Sequence, residues 1–231
     1  MGKFAYPRWR WHGATICAWF ISSFLMFLFV PIHPWGGTFN VAIGEIDGLD
    51  ARRSRRTADI YAALKANEVR LNNATVWKLA HSIQEESDKH SLDPMLVLAV
   101  IKVESQFDHR AVSPKGARGL MQIQPAAATV VLEEADVLDG KVATKIDDPI
   151  VNVKIGTAYL KHLKEMFGDM KLTLTAYNWG PTRLRQKLAA KEVVPLVYAQ
   201  KVFSAQRLLK KQWRSGNSSL ASPEARVLAT S

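Results

Sequence analysis

The stretch Ala99–Pro125, AVIKVESQFDHRAVSPKGARGLMQIQP, decides how the chain is read. It opens inside an apolar helix that starts at Asp93–Pro94, where Asp accepts free N–H groups and Pro is tolerated at the first helical position. Counting back from Glu104, Ile101, Val100 and Val97 fall at i−3, i−4 and i−7, so the carboxylate sits on an apolar face. It also lies near the helix C-terminus, where the macrodipole disfavours negative charge. Both effects raise a carboxyl pKa and suit a general acid working near neutrality. The bland alternatives are a Glu that snorkels outward or pairs with Lys102 or Arg110. After Glu104 the chemistry changes to turns, with VSPKGARG leaving room for one small hairpin around ARGLMQI.

Helical patterns continue on either side. Thr75 is a candidate cap for a helix over Val76–Lys89, and Pro125 opens another over AAATVVLEEA. Asp148–Pro149 repeats the Asp-Pro start and leads IVNVKIGTAYLKHLKEMF, in which Val151, Ile155, Ala158 and Leu163 follow helical spacing. Shorter helices fit LTLTAY and TRLRQKLAA, and a long one fits LVYAQKVFSAQRLLKKQW. The pattern predicts a mainly α domain over residues 73–213. Residues 34–72 read as a linker with a short helix in ADIYAALKANEV and a basic cluster, Arg52, Arg53, Arg55 and Arg56. Residues 214–231, small and polar, read as a disordered tail.

Residues 1–33 form the N-terminal segment. Gly13–Ile32 is twenty residues without a charged side chain, enough for a helix to span about 30 Å of hydrocarbon. Lys3, Arg8 and Arg10 precede it, and the first charges after it are Glu45 and Asp47. The positive-inside rule then leaves the N-terminus in the cytoplasm and the bulk of the chain across the membrane. The expectation is one transmembrane helix anchoring a periplasmic domain to the inner membrane; a cleaved signal peptide is the alternative.

The 231 residues carry a formal charge of +10 and one cysteine, Cys17, so no intrachain disulfide is available. The basic residues are spread along the chain and accompany no nucleic-acid motif, which reads as a solvated basic surface. The six His form no H-E-x-x-H or His/Cys grouping, so neither a metal nor another cofactor is expected.

The quoted stretch resembles the signature of the lytic transglycosylase family with the soluble-transglycosylase catalytic domain. The resemblance is carried by Glu104–Ser105, Phe107–Asp108, Ala111–Val112–Ser113, Gly116–Ala117, Gly119–Leu120–Met121–Gln122 and Pro125. A second block follows at Ala176–Tyr177–Asn178 with Gly180–Pro181. Between them lie Asp148–Pro149, Asn152, Gly156 and Tyr159–Leu160, and near the end Tyr198 with Lys201–Val202. It covers roughly Val76 to Trp213.

The resemblance implies a lysozyme-like fold and peptidoglycan glycan strands as partner. It implies cleavage of the β-1,4 bond between N-acetylmuramic acid and N-acetylglucosamine. Glu104 would act first as acid on the leaving oxygen, then as base on the muramoyl 6-hydroxyl, giving a 1,6-anhydro product without water. Asp108 is better suited to loop hydrogen bonding and Asp147 and Asp148 to capping, so no second catalytic carboxylate is expected. Ser113, Met121, Gln122, Tyr177, Asn178 and Tyr198 are the candidate substrate-binding residues, Tyr198 by similarity alone and as a partner of Glu104. Each has a plain reading too: Ser113 a turn residue, Met121 core, Gln122 a surface amide, Tyr177 core, Asn178 a helix cap. Two residues depart from the family pattern, Gln124 before Pro125 and Trp179 after Asn178. A lysozyme-type hydrolase, a non-catalytic wall anchor, and a wall-opening accessory of a secretion or transport machine are the rival readings.

Overall fold

The computed structural model describes residues 38–134 and 145–220. The chain divides into two compact units, Met1–Gly48 and Leu49–Ser231, and all packing discussed below lies within the second. The described residues form helices α1 (Thr38–Ala66), α2 (Asn73–Lys89), α3 (Pro94–Ser105), α4 (Pro125–Glu134), α5 (Pro149–Phe167), α6 (Met170–Trp179), α7 (Pro181–Ala189) and α8 (Val197–Leu220). Among them the expected hairpin shrinks to two isolated antiparallel bridges, Val112 with Arg118 and Arg118 with Ile123.

The helix starts follow from local chemistry. Asp93 accepts from the Met95 N–H at 2.8 Å, and Asp148 accepts from the Ile150 and Val151 N–H groups at 2.9 and 3.0 Å. Asp169 caps α6 in the same way. At α2 the cap is Asn72, not Thr75: Asn72 Oδ1 accepts from both the backbone and the hydroxyl of Thr75. The helix therefore begins one turn earlier than the Thr75 reading predicts. Asp147 does not cap either; both its oxygens receive the Arg118 guanidinium at 2.7 Å.

α3 is the central helix. From Leu96 to Ile101 every residue is buried, and the helix packs against α2 and α8. A second, smaller apolar cluster of Val131, Tyr159, Leu163, Ala176 and Leu184 joins α4, α5, α6 and α7. Tyr177 and Ala127 pack against both clusters.

Two segments differ from the sequence reading. The linker expectation of a short helix in 58–69 gives way to α1, whose Ile60 and Leu64, with Val69 just beyond, are buried in the main core. The Arg-rich turn hides this, because its side chains are exposed while the apolar residues one and two turns later face inward. The tail does not turn irregular at 214; α8 runs to Leu220, because extending a formed helix costs far less than starting one. No helix among the described residues is long and apolar enough to cross a membrane. The expected span Gly13–Ile32 lies outside the described residues.

Candidate active site

Glu104 is the penultimate residue of α3. The helix stops there because Gln106, at its C-cap, and Phe107 both take left-handed backbone conformations, with φ 51° and 67°. Phe107 then tucks into the core, while Asp108 uses a side-chain oxygen to accept from the Arg110 N–H at 2.9 Å. Ser105 fastens the helix end to the following loop, its hydroxyl lying 3.1 Å from the Ile101 carbonyl and 2.8 Å from that of Leu120.

Glu104 neither snorkels away nor pairs with a base. Lys102 instead donates to Asn67 Oδ1 at 3.0 Å. The Glu104 carboxyl is partly buried and accepts, at Oε1, a short hydrogen bond from the Tyr198 hydroxyl on α8. Burial raises its pKa above the ordinary carboxylate value, and the Tyr198 bond opposes part of that rise. Burial and the nearby Glu104 charge push both Tyr198 and Tyr177 well above the usual phenol range, so both keep their protons near neutrality.

Glu104 opens on a cleft of about 500 Å³ lined also by Ser113, Gln122, Gln124, Tyr159, Tyr177, Asn178, Trp179 and Arg183. Among the described lining residues Glu104 is the only carboxylate. The cleft lies where the two apolar clusters meet: Glu104 comes from the central helix, whereas Tyr159 belongs to the smaller cluster and Tyr177 packs against both. Tyr198 lines a neighbouring depression that shares Asn178 and Trp179 with the cleft.

The loop between α3 and α4 is built by its own hydrogen bonds. Ser113 closes a turn, its Oγ accepting from the Ala117 N–H at 3.0 Å; the hydroxyl hydrogen remains available to a ligand. Gln122, at φ 49°, donates from Nε2 to the carbonyls of Ala111 and Gly119 at 2.9 and 3.0 Å. Its amide nitrogen therefore holds the loop, and only its oxygen is left to meet a substrate. The Tyr177 hydroxyl donates to the Met121 carbonyl at 2.7 Å, tying α6 to the same loop. Asn178 is exposed and lines the cleft; the cap of α6 is Gly180.

Met121 stands apart from the other candidates. Its side chain is fully buried and does not line the cleft. It fills the space left by Gly156 on α5: a Cβ at Gly156 would lie 2.4 Å from the Met121 sulfur. Its contribution to the site is its backbone carbonyl, held by Tyr177.

Sequence reasoning left Asn152 without a role, yet it positions the loop. Fully buried on α5, it accepts from the Met121 N–H at 2.8 Å and donates to the carbonyls of Arg118 and Ile146 at 2.8 and 2.9 Å. Gly119 has φ +75°, and a Cβ there would come within 2.4 Å of Asn152 Nδ2. The signal in the sequence was an amide at helical spacing with the apolar face of α5. Trp179 and Gln124, the two departures, both line the cleft, and the Arg183 guanidinium sits 4.9 Å from the centre of a Trp179 ring.

Comparison with known proteins agrees with this architecture. Residues 81–194 match the family model described as Transglycosylase SLT domain; Tyr198 lies just beyond that span. The soluble lytic murein transglycosylase of Salmonella typhimurium is 36% identical over 89 residues, covering 38% of this chain and 14% of the relative. A membrane-bound lytic murein transglycosylase C of Edwardsiella ictaluri is 33% identical over 166 residues, covering 65% of this chain and 44% of the relative. Among solved structures, an inactive mutant of the lytic transglycosylase Slt from Pseudomonas aeruginosa superposes with a TM-score of 0.50 at 27% identity, covering 58% of this chain and 24% of that one. The chain thus spans less than half the length of each of these relatives. Residues 81–194, which hold Glu104 and most of the cleft, thus form a transglycosylase SLT domain similar to that of lytic transglycosylases.

Proposed function

We propose that the protein cleaves the β-1,4 bond between N-acetylmuramic acid and N-acetylglucosamine in peptidoglycan, with Glu104 as single acid and base. The observation that carries the reading is Glu104 itself: a carboxyl of raised pKa facing a cleft, with Tyr198 on one oxygen and no second carboxylate among the described lining residues. Retaining glycosidases place two carboxyls about 5–5.5 Å apart, and the described cleft offers no such pair.

The chemistry follows from that geometry. With Oε1 occupied by Tyr198, Oε2 carries the proton to the glycosidic oxygen as the bond from that oxygen to muramoyl C1 breaks. The carboxylate so formed is stabilised by the Tyr198 hydrogen bond. It then takes the proton of the muramoyl 6-hydroxyl as O6 bonds to C1. The product is a 1,6-anhydro ring, Glu104 ends protonated, and water takes no part. Ser113 and Gln122 would offer a hydroxyl hydrogen and an amide oxygen to the sugar, with Asn178 at the mouth. Tyr177 shapes the wall, and Tyr198 holds the acid.

The same reading makes residues 1–33 a membrane anchor and 73–213 a periplasmic catalytic domain, supported by the uncharged run Gly13–Ile32 and the three basic residues before it. The decisive experiment is mass spectrometry of products from digested sacculi. Anhydro-muropeptides are expected from the native chain and none from Glu104→Gln, whose amide keeps the shape but delivers no proton. Reducing-end products would establish a hydrolase instead, and substantial turnover by a folded Glu104→Gln would remove Glu104 from the mechanism. That variant should melt no lower than the native chain at neutral pH. A carboxyl whose folded pKa is raised gives stability present below its unfolded pKa and lost as pH rises through the folded value, and Gln has no such loss.

A further inference from the structure

The end of α3 away from Glu104 borders a second pocket, of about 360 Å³, lined also from α1, α2 and α8. No described residue lines both this pocket and the cleft, and Met95 on its wall lies about two and a half helical turns from Glu104. Two polar side chains of the pocket lack a partner. Gln84, on α2, is 1% exposed. Its Nε2 donates to Asp88 Oδ1 at 2.9 Å, and because a carboxylate only accepts, Oε1 is the atom left over. That oxygen is buried and meets no donor among the described residues. Trp213, on α8, has its indole Nε1–H buried with no acceptor among them. Buried polar groups in native proteins are nearly always hydrogen-bonded, so an orphan acceptor and an orphan donor at one pocket call for an occupant that supplies both. The charge of the pocket is also one-sided. Arg56 and Arg214 are exposed there and have no ion-pair partner among the described residues. Asp93, the one acid of the described lining, caps α3 through Oδ1, while its Oδ2 takes Gln206 Nε2 at 2.9 Å and the Lys210 ammonium. Lys210 thus cancels Asp93, and the two arginines leave the pocket positive. Arg52, four residues before Arg56 on the same helix face, carries the charge beyond the rim. Ile60, Pro94 and Met95 give the pocket an apolar wall.

We propose that this pocket docks an extended acidic segment of a partner protein. A backbone N–H of the segment donates to Gln84 Oε1, and a backbone carbonyl accepts from Trp213 Nε1. An apolar side chain rests on Ile60 and Met95, and flanking carboxylates meet Arg56 and Arg214. The class follows by elimination. A phosphodiester brings negative charge but no donor for Gln84. Sugar hydroxyls bring donors and acceptors but no charge. A peptide containing Asp or Glu brings all three. The pocket is separate from the cleft, so the inference stands whether or not Glu104 cuts peptidoglycan.

In the test, the full chain in detergent micelles is titrated with fluorescent, end-blocked peptides of alternating Glu and Leu, and with matched peptides in which Gln replaces Glu. The Glu peptides should bind at least ten-fold more tightly, and the difference should shrink as salt is raised. Arg56→Ala and Arg214→Ala together, both at exposed positions, should cut it to two-fold or less. Trp213→Phe keeps a ring and removes the N–H, and Gln84→Met keeps length and removes the acceptor; each should weaken both peptides several-fold. Should Gln84→Met fail to fold, Trp213→Phe decides. Bound peptide should also shift the Trp213 indole N–H resonance, identified by its loss in Trp213→Phe. Absent or equal binding of the two peptides overturns the docking site, as does a preference that survives the double alanine variant or a Trp213 resonance that stays in place. Displacement of the Glu peptide by an equal concentration of short-chain phosphatidylglycerol would mark a lipid site instead. Tighter peptide binding by a chain ending at Leu220 would make residues 221–231 the occupant, and either result also overturns the proposal.

Discussion

Replacing Tyr198 by Phe removes one hydrogen bond and keeps the ring that packs behind it. In the native protein that bond opposes the rise that burial imposes on Glu104, so its loss moves the Glu104 pKa further up. A hydrogen bond to a charged group contributes about 1.5–3 kcal/mol, and one pKa unit corresponds to about 1.4 kcal/mol. Glu104 is partly open to the cleft, which screens the bond, so the low end of that range applies. The acid must be protonated to begin the reaction, so kcat/KM falls as pH rises through the Glu104 pKa. In Tyr198→Phe this descending limb should move toward higher pH. The assay is the pH profile of muropeptide release, native against variant, with melting curves to confirm the fold. A limb that stays in place, or moves to lower pH, would refute the assignment of Tyr198 as the group that holds the Glu104 carboxylate.

Asn152→Ala strands a backbone N–H and weakens the hold on two carbonyls. At about 1–3 kcal/mol for each unsatisfied buried group, a loss of about 3 kcal/mol or more is expected in denaturant unfolding, with a fall in activity as the Met121–Gln122 turn loosens. Gly119→Ala meets both the left-handed backbone, about 1–2 kcal/mol, and the Asn152 side chain, and should destabilise by more than the backbone term alone. A melting temperature within one degree of native for either variant would contradict the loop architecture. Topology reporters fused after residue 40 should report from outside the cytoplasm; a cytoplasmic signal would overturn the anchor.

The helices and the acid were legible because each rests on a short-range rule. Asp93–Pro94 and Asp148–Pro149 announce α3 and α5, and the i−3, i−4, i−7 pattern behind Glu104 marks a carboxyl on an apolar face. What escaped depends on contacts between distant segments. Met121 reads as readily as a cleft residue as a core one until Gly156, on another helix, supplies the space its sulfur fills. Asn152 looks like a polar interruption of α5 until the loop carbonyls at Arg118 and Ile146 come to meet it. The end of the linker reads as solvated because of Arg52, Arg53, Arg55 and Arg56, yet Ile60 and Leu64 on the same helix belong to the core. Gln122 illustrates a different limit: sequence supplies the donor and acceptor, but only coordinates reveal that the donors are already engaged.

The hydrogen bond between Tyr198 and Glu104 joins residues 94 positions apart, and the second partner sits on α8, the last described helix. A ribosome releases the acid long before the phenol that steadies it. α3 also packs extensively against α8, so the central helix stays partly uncovered over the same interval. Such long-range closure is slow relative to local helix formation. The chain therefore cannot assemble a competent acid until α8 has been synthesised and folded. For an enzyme whose proposed target is the wall of the cell that makes it, the late arrival of α8 relative to α3 is itself a safeguard against premature cutting.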